Sequence, residues 1–191
     1  MLLTIGTKEG FVDSKVRTAR MHTFRTIQHS TVQINLGAIE RNCTVIRNHI
    51  GKDCGLCAVV KADGYGLGAT RVASVLEQSV NMLAVYSPDE AGEILASRNK
   101  APLLVLAPVH SIDRVHPMYR GFSTGQLHLV VHGGDHLRSL VRIAERLSVP
   151  LNVHVKIDTG LHRGGCALDN AKILIEKVLQ NHRLKLTGVL T

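Results

Sequence analysis

From Thr31 onward, short apolar runs rich in β-branched residues alternate with amphipathic stretches of helical length. The runs Thr31–Leu36, Leu56–Lys61, Met82–Tyr86, Leu103–Ala107, Leu127–His132, Leu151–Asp158 and Leu186–Leu190 predict strands. Helices are predicted over 37–50, 68–79, 88–98, 134–147 and 168–180. Within 134–147, Leu137, Leu140, Val141, Ala144 and Leu147 recur on one helical face. Ser87-Pro88-Asp89-Glu90 offers a capping serine, a proline at the first helical position and acids in the first turn. The segment 108–126 is the least regular and is expected to hold only a short helix. Residues 1–30 show no clear period and are expected to form a loosely ordered extension, with Met21 a second candidate start; 31–191 form the domain.

Strand and helix alternating at this pitch predict βαβ units and a parallel sheet. Such a sheet is either open, with helices on both faces, or rolled into a barrel. The strand Leu151–Asp158 decides between them. Its alternate residues Val153, Val155 and Ile157 make an apolar face, and Asn152, His154, Lys156 and Asp158 make a polar one. A doubly covered open sheet wants both faces apolar. A barrel wall accepts one apolar face toward its helices and polar groups in its lumen. After Thr31–Leu36 the chain offers six barrel-type strands, whereas a full barrel has eight and takes about 250 residues. The expected fold is therefore α/β: an incomplete TIM-type (β/α)8 barrel of about six strands, with two edge strands left unpaired.

Composition narrows the possible functions. The chain has 191 residues, of which 45% are hydrophobic, which excludes disorder and low complexity. No apolar run approaches the ~20 residues of a membrane span, and Met1–Ile5 is too short for the apolar core of a signal peptide. The net charge is +8, but the basic residues are scattered and only three Phe, three Tyr and no Trp are present to stack on bases. That charge is assigned to solvated surface, and neither nucleic acid nor a membrane is expected as a partner. Cys54-Gly-Leu-Cys57 is a lone CxxC without a second pair, and it leads into a strand rather than opening a helix. Cys43, Cys54, Cys57 and Cys166 are expected to be reduced thiols in the cytoplasm. His128, His132 and His136 are four apart, but the first two fall in a predicted strand and the third in a helix, so no metal site is expected. His154 is expected to face the lumen in a hydrogen-bonded interior role.

The densest candidate chemistry lies in Val59-Val60-Lys61-Ala62-Asp63-Gly64-Tyr65-Gly66-Leu67-Gly68. By alternation Lys61 shares a face with Cys57 and Val59. Desolvating a lysine favours the neutral amine, which condenses with an aldehyde to a Schiff base. The glycines allow positive φ and close approach to a ligand, and the Tyr65 hydroxyl can bond an anion. Taken singly, these parts also fit a snorkelling surface lysine and a plain loop. The third glycine spacing is wrong for a dinucleotide fingerprint.

As a unit, Val60–Ala69 resembles the cofactor-lysine motif of the alanine racemases, fold-type III pyridoxal phosphate enzymes. The resemblance extends over about 31–191: Val32–Asn42 resembles that family's opening strand and first helix, and Leu83–Ala91 with Pro102–Leu106 its next two units. Lys156-Ile-Asp-Thr-Gly-Leu-His-Arg163 is the second strong match. The resemblance implies that Lys61 bonds the aldehyde of pyridoxal 5'-phosphate and then serves as base on one face of the substrate α-carbon. It implies that Tyr65 binds the cofactor phosphate and that Arg163 orients both the phenolic oxygen and the substrate carboxylate. Lys156, often carbamylated in the family, would then accept hydrogen bonds from Arg163, with Asp158 also supporting. The plain alternatives are a Lys156–Asp158 ion pair and a surface position for Arg163.

The implied activity is the interconversion of L-alanine and D-alanine by a cytoplasmic isomerase that provides a peptidoglycan precursor and is a homodimer at full length. Two departures occur: Leu67 stands where a histidine is usual, and Gly164 where a larger apolar residue is usual. Beyond Thr191 the family continues with a ring-stacking histidine, a phosphate loop, an arginine at the pyridine nitrogen and a β-rich domain that lends the partner subunit its second base. The chain is therefore expected to be a fragment, lacking the C-terminal β domain, with impaired activity. The alternative is a non-catalytic pyridoxal phosphate-binding homeostasis protein, against which the Asp63-Gly-Tyr-Gly66 sequence speaks.

Overall fold

The computed structural model describes residues 4–6 and 31–191. The strands are β1 (Thr4–Gly6), β2 (Thr31–Gln33), β3 (Cys57–Val59), β4 (Met82–Val85), β5 (Leu103–Val105), β6 (Leu127–Val131), β7 (Leu151–Asp158), β8 (Cys166–Ala167) and β9 (Leu184–Leu190). The helical segments are α1 (Leu36–Ile50), α2 (Lys61–Gly66), α3 (Ala69–Leu76), α4 (Pro88–Ala96), α5 (Met118–Ser123), α6 (Gly134–Leu147) and α7 (Leu168–Leu179). β1 pairs antiparallel with β2. The expectation for 1–30 otherwise lies outside the described residues.

The first predicted strand, 31–36, is shortened to β2 by a cap. The Asn35 side chain accepts a hydrogen bond from the Ala38 amide at 3.0 Å, so the helix begins at Leu36. The capping signal at 87–90 is realised in full, with Ser87 as N-cap, Pro88 at the first position and a reciprocal Ser87–Glu90 box. α6 and β7 have the bounds that their patterns predict.

β3, β4, β5, β6, β7 and β9 lie side by side in that order, all parallel, and β8 adds a two-residue pairing at the end of β7. Among the described residues the sheet does not close, and its edges are β3 and β9. The incomplete barrel is thus what the chain forms.

The two faces of the sheet carry separate apolar clusters. Leu83, Leu103, Leu129 and Val153 meet the helices, where Leu140, Ile143 and Leu147 of α6 are equally buried. Ala84, Leu104 and Val130 form the second cluster with Met82, Leu106 and Leu190 on the lumen side. On β7, Leu151, Val153 and Val155 are buried while Asn152, His154 and Lys156 are half-buried in the lumen.

β9 changes face partway. The register moves from Val153↔Leu186 to His154↔Gly188, leaving Thr187 as the extra residue of a bulge. Leu184 and Leu186 therefore pack on the helix side, while Leu190 joins the lumen cluster.

Candidate active site

The lysine-bearing segment leaves β3 in an uncommon conformation. Ala62, Asp63, Gly64 and Tyr65 have φ between 52° and 63° and ψ between 35° and 51°, a single left-handed turn. For an L-residue this conformation costs about 1–2 kcal/mol per position, and three of the four are not glycine. The turn is held from several directions. The Gly64 amide donates to the Val60 carbonyl at 2.9 Å and the Gly68 amide to the Asp63 carbonyl at 2.8 Å. Asp63 Oδ1 accepts from the Ala69 amide at 2.7 Å, which also caps α3. Gly64 is buried against α3: a Cβ there would stand 3.3 Å from the Ala69 nitrogen, so a side chain would press on the helix start.

The fourth anchor comes from another helix. Glu90 Oε1 accepts from the Ala62 amide at 2.7 Å, and Oε2 accepts from the amides of Tyr86 at 2.8 Å and Ser87 at 3.1 Å. Burial alone would raise the Glu90 carboxyl. The three backbone amides and the nearby Lys61 charge outweigh that and hold it below the ordinary carboxylate range. Lys61 itself is half-buried and Tyr65 is exposed.

The second motif ends β7. Lys156 Nζ donates to the backbone carbonyl of Arg163 at 2.9 Å. The implied contact was with the guanidinium; as a free amine, Lys156 has only donors and so meets a carbonyl instead. Asp158 is committed elsewhere: Oδ1 accepts from the amides of Gly160 and His162 at 3.0 Å each, and Oδ2 lies 3.2 Å from His162 Nδ1. Those amides, His162 first, hold its carboxyl below the ordinary range. The Lys156–Asp158 ion pair is not formed. Gly165, at φ 111°, turns the loop back so closely that a Cβ would come 2.9 Å from the Asp158 nitrogen. Arg163 is exposed at the tip of this loop.

Histidines fill the space below and beside these groups. His128 Nδ1 is 3.0 Å from His154 Nε2 and 3.2 Å from Thr187 Oγ1, whose hydroxyl donates to the Val153 carbonyl at 3.0 Å. His154 therefore has the interior role expected of it. Burial, reinforced by His154 and Lys185, pushes His128 down to about 4. His132 follows β6, and its Nε2 bonds the Leu106 carbonyl at 3.0 Å. His136 Nδ1 accepts from the His132 amide at 3.3 Å, with its Nε2 on the Val109 backbone at 3.0 Å. His132 and His136 do meet, their ring centroids 5.5 Å apart, but His132 Nε2 and both nitrogens of His136 are committed to backbone. Among the described residues no group of three or more His, Cys, Asp or Glu could hold a metal ion, and no helix is long and apolar enough to cross a membrane. All four cysteines are free.

The two predicted clusters, Lys61 with Tyr65 and Lys156 with Asp158 and Arg163, thus both lie at the C-terminal ends of the parallel strands. That is the functional end of such a barrel. Sequence reasoning missed Glu90 as part of the site. Its signal was the capping serine three residues earlier, which explains the Ser87 bond but not the reach to Ala62.

Comparison with known proteins gives the family. Residues 34–191 match the family described as "Alanine racemase, N-terminal domain". Alanine racemase 2 of Oceanobacillus iheyensis is 35% identical over 163 residues, covering 83% of this chain and 40% of that protein. The alanine racemase of Treponema denticola is 32% identical over 160 residues, 83% of this chain and 41% of that protein. Among solved structures, alanine racemase from E. faecalis superposes with a TM-score of 0.69 at 26% identity, over 82% of this chain and 42% of that one. The enzyme from Corynebacterium glutamicum gives 0.68 at 25%, over 81% and 43%. The chain spans about two fifths of the length of these relatives. With the lysine motif, the β7 motif and the open parallel sheet all on one matched stretch, the chain belongs to the alanine racemase N-terminal domain family.

Proposed function

We propose that this chain provides the cofactor-binding part of a pyridoxal phosphate-dependent alanine racemase, acting on the small amino acid alanine. The observation that carries the reading is the Lys61 amine at a strand end, followed at once by a left-handed turn that backbone bonds and two carboxylates lock. The donor set fits the cofactor. A primary amine suits its aldehyde, a phenol suits a phosphate oxygen, and a guanidinium suits a phenolate or carboxylate.

When bound, pyridoxal phosphate supplies an electron sink for charge developing at the substrate α-carbon. The chain's own residues do the rest. Lys61 holds the cofactor and carries a proton to or from one face of that carbon. Tyr65 binds the phosphate. Arg163 orients the substrate carboxylate, with its backbone held by Lys156. A cytoplasmic setting and a homodimeric whole protein belong to the same proposal, and the free thiols are in keeping with the first.

The test is cofactor capture. The purified chain mixed with pyridoxal phosphate should turn yellow, and borohydride should trap one adduct on the peptide containing Lys61. Lys61→Met should abolish both. Absence of an adduct in the wild-type chain, or an adduct that survives in Lys61→Met, refutes the reading.

A further inference from the structure

We propose that Glu90 is a positioning residue for Lys61: its carboxylate clamps the backbone amide that follows the lysine and so fixes the directions of the Lys61 amine and the Tyr65 hydroxyl. The inference rests on the cofactor reading above, but its geometry stands apart from it.

A capping box needs one bond from its acidic member, to the N-cap amide. Glu90 makes that bond to Ser87 and two more. One fixes the end of β4 at Tyr86, and the other reaches back 28 residues to Ala62. A single carboxylate thus ties together the start of α4, the exit of β4 and the exit of β3. The tie to Ala62 falls where the chain needs it, at the first of four left-handed residues, three of which are not glycine. Without it, the segment would have Asp63 and the turn's own backbone bonds to resist relaxation toward ordinary φ. Lys61 lies directly before the clamped amide and Tyr65 closes the turn, so both side chains take their directions from it.

Both oxygens of Glu90 act as acceptors, which an amide side chain cannot imitate. Glu90→Gln keeps the shape but must set an NH2 group against either the Ala62 amide or the Tyr86 and Ser87 amides. Ser87→Ala is the control. It removes the 3.3 Å bond from the Glu90 amide to the Ser87 hydroxyl and weakens the same helix, but leaves every bond to the Glu90 carboxylate in place.

The full chain and its variants are compared by borohydride trapping at limiting pyridoxal phosphate, by hydrogen exchange of the peptide spanning 60–66, and by melting. Hydrogen bonds to charged groups carry tenfold effects or more. Glu90→Gln should therefore lose about tenfold in capture at Lys61 and gain about tenfold in exchange. Ser87→Ala should melt lower with both readouts near wild type. Glu90→Asp, too short by a methylene to span both ends, should lose capture as Glu90→Gln does and stands in if the latter does not fold. Wild-type capture in either Glu90 variant, or an equal loss in Ser87→Ala, overturns the proposal. If the wild-type chain captures no cofactor, the functional reading fails. Exchange then decides for Glu90 alone, and unchanged exchange in Glu90→Gln overturns its role.

Discussion

Replacing Ala62 by glycine should stabilise the protein, against the usual sign of such a change. In a right-handed helix, Ala→Gly costs about 1 kcal/mol. Ala62 has φ 53° and ψ 51°, however, where an L-residue is disfavoured by about 1–2 kcal/mol and glycine is not. The side chain lost is an exposed methyl, so little apolar burial is forfeited. The amide that bonds Glu90 at 2.7 Å is retained. Against the gain stands the wider unfolded ensemble of a glycine chain, about 0.4–1 kcal/mol. The difference leaves roughly 0–1.6 kcal/mol in favour of the Ala62→Gly variant, centred near 1. For a chain of this size, 1 kcal/mol moves the melting temperature by about 2–4 °C. Calorimetry and urea unfolding of both proteins check the value, provided the urea slope is unchanged. A melting temperature lowered by about 2–4 °C would show that the segment after Lys61 is right-handed, and the account of the site would fall with it.

Two further outcomes follow from the lumen and its neighbouring histidines. Gly188→Ala would set a Cβ 2.5 Å from His154 Nδ1; displacing that ring from His128 should cost about 1–3 kcal/mol, seen as a lower melting temperature. His128 and His136 are both pushed down to about 4, chiefly by burial. The unfolded chain therefore protonates first, so stability is full above about pH 6.5 and is lost as pH falls toward 4. Melting temperature against pH should show this slope, and His136→Gln should flatten it; a flat wild-type profile between those pH values counts against the buried neutral histidines.

Much of the fold could be read from local pattern. α6 was legible to the residue because Leu137, Leu140, Ala144 and Leu147 repeat on a face that is in fact buried. β7 was legible because its alternation separates Val153 and Val155 from His154 and Lys156, and the barrel wall imposes that same division. What stayed hidden depends on distant partners. Leu184, Leu186, Gly188 and Leu190 look like one face of a strand, yet the bulge at Thr187 puts the last two in the lumen. Cys166–Ala167 is too short a strand to show a period. The glycines after Lys61 suggested positive φ. That Ala62, Asp63 and Tyr65 share it goes with the bond from the Ala62 amide to Glu90, 28 residues away and outside any window around the motif.

The distribution of hydrogen bonds argues for which groups at this end of the sheet support and which act. Glu90, Lys156, Asp158, His132 and His136 are each committed to backbone. Their removal would free strained loops rather than remove a reactive group. Lys61, Tyr65 and Arg163 have no side-chain hydrogen bond or ion pair among the described residues, although Lys61 precedes the amide that Glu90 holds, Arg163 has its carbonyl held by Lys156, and Tyr65 closes the turn that opens at Ala62. A half-buried lysine kept for stability alone would be expected to find an acceptor, as Lys156 does on β7 of the same sheet. Rigid backbone under uncommitted side chains is the arrangement that binding requires: the ordering cost is met on folding, and the donors remain free for a ligand.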